Sequence, residues 1–174
     1  NVATIRRLPQ GLVVPDSAPI THQRLPRQIV PHRYEVLWEI DVERRAFRGT
    51  VRVDAEVVDA TDTVTMSIAD LHVDAAYLIV SGDRVEVAVR HDPAAEQLHL
   101  VAPVALQAGR IEVCVEFNGV LGNKLVGLYE CTSTVSGDDR TVVVSQFESA
   151  HARRAVPCWD EPDFKAVFAI TVRI

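Results

Sequence analysis

The sequence predicts an all-β domain, an antiparallel β-sandwich or saddle-like pair of curved sheets of about eight to ten strands with no long helix. Three observations carry that expectation. Apolar residues recur at every second position along most of the chain after Pro31, the breaks between these runs are rich in Gly, Asp, Ser and Pro, and no stretch offers a long amphipathic helix. Side chains alternate across a strand, so a period of two buries one face and wets the other.

The elements follow in order. Residues 1–27 carry Pro9, Pro15, Pro19 and Pro26 with little periodicity, and are expected to lie extended over a surface or to be poorly ordered. The domain itself is expected over residues 28–174. Tyr34, Val36, Trp38 and Ile40 share one face of a first strand, and Phe47, Val51, Val53, Ala55 and Val57 one face of a second. Residues 63–67 and 73–80 supply short strands, Val85, Val87 and Val89 another, and residues 98–101 a further one. Ile111, Val113, Val115 and Phe117 alternate with charged or polar neighbours. Residues 141–144 form a continuous apolar run that reads as a buried strand, and residues 166–174 as a strand at which the domain looks incomplete. Turns are expected at residues 59–62, Ser81-Gly82-Asp83, His91-Asp92-Pro93, Ala108-Gly109, Asn118-Gly119 and Ser136-Gly137-Asp138. Trp38 belongs to the core, and Trp159 to a turn that it fastens. The glycines of residues 119–127 mark a loop, not a phosphate cradle, because no helix follows to present its amides.

The most irregular segment is residues 145–165, S-Q-F-E-S-A-H-A-R-R-A-V-P-C-W-D-E-P-D-F-K. Pro157 and Pro162 fix their own φ and bias Val156 and Glu161 away from helix, which enforces one shape. Arg153 and Arg154 lie near Asp160 and Glu161, and bidentate bracing between them is expected. Just upstream, alternation places Gln146 and Glu148 on one face and Phe147 on the other. A carboxylate and an amide projecting together from a strand end suit a cationic, hydrogen-bonding ligand, although a solvated strand end accounts for the same pair.

This segment resembles the amino-terminal domain of zinc aminopeptidases of the aminopeptidase N and puromycin-sensitive type. That family shows Q-x-E followed by A-R-R-A-x-P-C-x-D-E-P-x-x-K-A-x-F, here Gln146 to Glu148 and Ala152 to Phe168. Leu25-Pro26 through Pro31 to Tyr34, the Phe47-Arg48-Gly49 triplet, and the loop ending in Gly127-Leu128-Tyr129 agree with it in the same order. The resemblance implies that Glu148 binds the α-ammonium group of a peptide substrate and that Gln146 lines the pocket for its first side chain. An ammonium group leaving water needs a nearby full negative charge. The resemblance further implies zinc, a catalytic domain in the same polypeptide and removal of single amino-terminal residues from peptides with a free amino end.

No H-E-x-x-H occurs, and His22, His32, His72, His91, His99 and His151 are nowhere spaced as a helical zinc site requires, so this chain is expected to bind no metal and to carry no catalytic residue of its own. A non-catalytic relative serving as an interaction scaffold is the alternative reading. A lipid-epoxide activity is a further one, and Glu148 argues against it, since that pattern carries an amide in its place. The net charge of −6 argues against nucleic acid, and Arg44, Arg45, Arg48 and Arg52 are interleaved with acids as a mixed solvated face. No apolar run is long enough for a transmembrane helix and no leader is visible at the start. Cys114, Cys131 and Cys158 lack metal spacing, and free thiols with no N-x-S/T sequon point to the cytoplasm.

Overall fold

A computed structural model describes residues 24–135 and 138–174. Among them eleven strands and one 3-10 turn, Ala152–Arg154, make up the regular structure. The strands are β1 (Ile29–Asp41), β2 (Ala46–Val57), β3 (Thr61–Ser67), β4 (Leu71–Val80), β5 (Asp83–Glu86), β6 (Ala88–Asp92), β7 (Gln97–Leu106), β8 (Gly109–Val120), β9 (Gly127–Val135), β10 (Asp138–Gln146) and β11 (Val167–Arg173).

They form a six-stranded sheet in the order β11-β1-β2-β8-β4-β5, a three-stranded sheet β3-β7-β6 and a two-stranded ribbon β10-β9. Pairing is antiparallel except at one edge, where β11 runs parallel to β1 with Tyr34 opposite Phe168. The two larger sheets share one core. Tyr34, Val36 and Trp38 of β1, Val51, Val53 and Ala55 of β2, Val113, Val115 and Phe117 of β8 and Leu78 of β4 meet Val64 and Met66 of β3 and Leu98 and Leu100 of β7. Each large side chain buried this way contributes about 1.5–3 kcal/mol relative to exposure. The outer face of the six-stranded sheet is ionic, and the four arginines of the mixed face each meet a carboxylate: Arg44 with Asp41, Arg45 with Glu130, Arg48 with Glu39 and Arg52 with Glu112.

The turn at Ser81-Gly82 is a two-residue hairpin in which both residues have positive φ, +53° and +90°, the twist-matched type I′ geometry. Three expectations are corrected. Val85, Val87 and Val89 do not share a strand: β5 joins the six-stranded sheet and β6 the three-stranded one, with Val87 at the corner between them. Asn118-Gly119 is no turn but lies inside β8, where Gly119 faces Phe47 across the β2 pair. The run 141–144 is not a buried strand either: among the described residues β10 pairs only with β9, and Val142 is 41% exposed. The proposed turn at Ser136-Gly137 and the reading of residues 1–23 lie outside the described residues. Where the amino-terminal segment enters the structure it is held: Leu25 is buried and its N–H donates to Glu161 Oε1 at 2.5 Å.

Candidate functional site

Gln146 ends β10 and stands opposite Gly127 of β9. Gly127 has φ +68°, and a Cβ there would lie 2.8 Å from Arg154 Cβ, so the absence of a side chain lets the 3-10 turn approach the ribbon. Phe147, half-buried, points inward, with its ring centroid 6.4 Å from that of Trp38. Trp38 is itself fixed, its Nε1–H donating to the carbonyl of buried Ala155 at 2.8 Å. Gln146 and Glu148, on either side of Phe147, are exposed.

Glu148 sits in a short closed turn. The His151 N–H donates to the Phe147 carbonyl at 2.8 Å, and the Arg154 N–H to the His151 carbonyl at 3.2 Å. The Glu148–Ser149 peptide is cis. The next residues are stapled to the end of β3: Ser67 and Cys158 exchange N–H···O bonds of 2.7 and 3.1 Å, and the Ala69 N–H donates to the Arg153 carbonyl at 2.9 Å. Trp159 is buried in the core cluster, and its backbone N–H donates to the Tyr34 hydroxyl at 3.1 Å.

Bracing inside the segment is narrower than the sequence suggests. Arg153 Nε donates to Asp160 Oδ2 at 2.9 Å as expected. Arg154 turns away, to Asp70 and to Glu96, and Glu161 instead faces Arg27 at 3.7 Å. Successive residues of a 3-10 turn diverge by about 120°, so Arg154 does not follow Arg153 to Asp160, although both guanidinium groups reach Glu96. Burial opposes charge on Arg153, yet the hydrogen bond and field of Asp160, joined by Glu96, hold its pKa above the ordinary arginine value. Cys158 and Tyr34 are both pushed up, chiefly by burial, and stay neutral.

Among the described residues no side-chain hydrogen bond or ion pair engages Gln146 or Glu148, and neither lines the larger clefts. A cleft of about 970 Å³ lies beside the segment and is bounded by Arg153, Asp160, Ala150 and Glu96. An exposed carboxylate on this corner can take a cation, but these clefts do not surround it. No group of three or more His, Cys, Asp or Glu side chains among them is gathered to hold a metal, so the zinc implied by the resemblance has no ligand set here. Glu96 and Asp70, which clamp the arginines, carried no signal in the sequence, because their partnership is made only by folding.

Such a fold defines a β-domain of three sheets with Gln146 and Glu148 exposed at the end of its two-stranded ribbon. Residues 30–174 match the Peptidase M1 N-terminal domain, and the chain belongs to that family. It is similar to aminopeptidase M1 of Arabidopsis thaliana, 34% identical over 167 residues, covering 87% of this chain and 18% of that protein. Endoplasmic reticulum aminopeptidase 1 of Homo sapiens is 33% identical over 156 residues, covering 86% and 17%. Aminopeptidase N of Acetobacter pasteurianus is 32% identical over 152 residues, covering 87% and 42%. The chain thus spans less than half the length of each of these relatives.

Proposed function

We propose that this chain is the amino-terminal wall of a zinc aminopeptidase active site, in which Glu148 receives the α-ammonium group of a peptide and Gln146 lines the pocket for the first side chain. The observation that carries this reading is the exposed Glu148 carboxylate, without a partner among the described residues, on a corner braced from three sides. A carboxylate so placed gives charge-assisted hydrogen bonds to an ammonium group and selects peptides with a free amino end. Zinc and the residues that bind it belong to a catalytic domain of the same polypeptide. Three free thiols suit a reducing compartment, and the reading places the protein in the cytoplasm.

The test is Glu148→Ala in the full-length polypeptide. Loss of a charged hydrogen bond of about 1.5–3 kcal/mol predicts a fall in kcat/KM of about 10–150-fold on aminoacyl substrates. An unchanged kcat/KM removes the assignment.

A further inference from the structure

We propose that Glu96 is a positioning residue for Glu148, an inference that rests on the ammonium-binding reading above. Glu96 lies immediately before β7, 57 and 58 residues from the arginines it serves. Its two carboxylate oxygens divide between them: Oε2 accepts from Arg153 Nη1 at 3.1 Å and Oε1 from Arg154 Nη2 at 2.9 Å. Few single side chains could hold a 3-10 turn by both of its consecutive guanidinium groups, and a carboxylate with two acceptor oxygens is suited to it.

Glu96 is itself fixed. It has φ +52°, uncommon for a residue with a side chain, and its turn is closed by Asp92, whose Oδ1 accepts the Ala94 and Ala95 N–H groups at 3.1 Å each. Its carbonyl accepts the Ile68 N–H at 2.9 Å, while the next N–H, that of Ala69, donates to the Arg153 carbonyl at 2.9 Å. Glu96 and Arg153 therefore hang from adjacent residues at the end of β3, and the ion pair closes the frame between them. The guanidinium sides of this frame are largely shielded from water, the side chains of Arg153 and Arg154 being 16% and 25% exposed and that of Glu96 37%.

The route to the binding residue is short. The Arg154 N–H holds the His151 carbonyl, and the His151 N–H holds the Phe147 carbonyl, which closes the turn that carries Glu148. Among the described residues Glu148 has no side-chain partner of its own, so the backbone of that turn alone fixes the point from which its carboxylate reaches out. A displacement of about 1 Å at such a group costs on the order of 10²-fold in rate, and a partial loosening correspondingly less.

The test is a double-mutant cycle in the full-length polypeptide with Glu96→Gln and Glu148→Ala, read as kcat and KM on an aminoacyl substrate. Gln keeps the size of Glu96 and removes its charge. Expected is a loss of about tenfold in kcat/KM for Glu96→Gln, carried by KM, that shrinks to about twofold or less in the Glu148→Ala background, because residues acting through one another are not additive. A merely structural role gives the same loss in both backgrounds and lowers kcat through the active fraction with KM unmoved. Either that result or a Glu96→Gln enzyme within about twofold of wild type overturns the proposal. Should Glu148→Ala alone leave kcat/KM unchanged, the ammonium-binding reading fails first, and Glu96 with it. If Glu96→Gln does not accumulate as folded protein, Arg154→Gln, which releases one side of the frame, goes through the same cycle with the same criteria.

Discussion

The ring of Phe117 fills the space above Gly49: a Cβ at Gly49 would lie 2.4 Å from Phe117 Cζ. The relation is reciprocal. Phe47 covers Gly119, where a Cβ would lie 2.6 Å from Phe47 Cζ and 2.7 Å from Leu71 Cδ2, and the β2–β8 register sets Phe47 opposite Gly119 and Gly49 opposite Phe117. Each strand thus contributes one Phe-x-Gly triplet, and each ring lies over the other strand's glycine. Both rings are almost wholly buried, at 2% and 1% exposure, so neither can swing aside. Gly→Ala would gain about 0.4–1 kcal/mol through the unfolded chain, but overpacking costs about 1–3 kcal/mol. Gly49→Ala and Gly119→Ala are each expected to lower the denaturant midpoint of the chain without changing the slope. A raised midpoint for either shows that the rings yield more freely than this packing allows.

The same pair shows what the sequence can and cannot disclose. The Phe47-Arg48-Gly49 triplet is legible as a motif, but its counterpart Phe117-Asn118-Gly119 reads as a strand end because Asn-Gly is a strong turn signal when only neighbours are considered. The contact that overrides that signal comes from another strand. Period-two alternation places β1, β2 and β8 correctly, since one face of each is buried in the shared core. It fails at residues 141–144, where a continuous apolar run reads as burial on both faces although the described residues cover little of it. In the candidate site, Gln146 and Glu148 draw notice because they stand inside a distinctive segment, whereas Glu96 and Asp70 become partners of the arginines only in three dimensions.

Trp38 links the core to the corner that carries Glu148. Its indole N–H satisfies the carbonyl of Ala155, which is fully buried, and its ring is the floor on which Phe147 rests. Trp38→Phe keeps an aromatic ring but leaves that carbonyl without its donor, at a cost of about 1–3 kcal/mol. The melting temperature of the chain is expected to fall accordingly, with hydrogen exchange accelerated at the His151 and Arg154 amides, which donate to the Phe147 and His151 carbonyls. Exchange unchanged at those two amides contradicts the floor role.

Alkaline pH should expose the burial of Tyr34. Its hydroxyl is held neutral chiefly by burial, with the nearby Cys158 acting in the same direction, so its folded pKa lies above the unfolded value of about 10. Above that pH the unfolded chain releases the phenolic proton while the folded chain keeps it. The unfolded state then binds fewer protons, and the stability of the fold must fall as pH rises. Cys158 behaves alike from its own unfolded value of about 8.5, its thiol also being raised first by burial. Denaturant unfolding between about pH 8 and 11 is therefore expected to show a decline that steepens above pH 10. Tyr34→Phe lacks the acceptor for the Trp159 N–H and starts lower at neutral pH, by about 1–3 kcal/mol, yet its curve should be flatter above pH 10, because the group that titrates is gone. The difference between the two chains narrows with rising pH if the burial of Tyr34 is the cause. Parallel curves through that window would assign the alkaline loss to other groups.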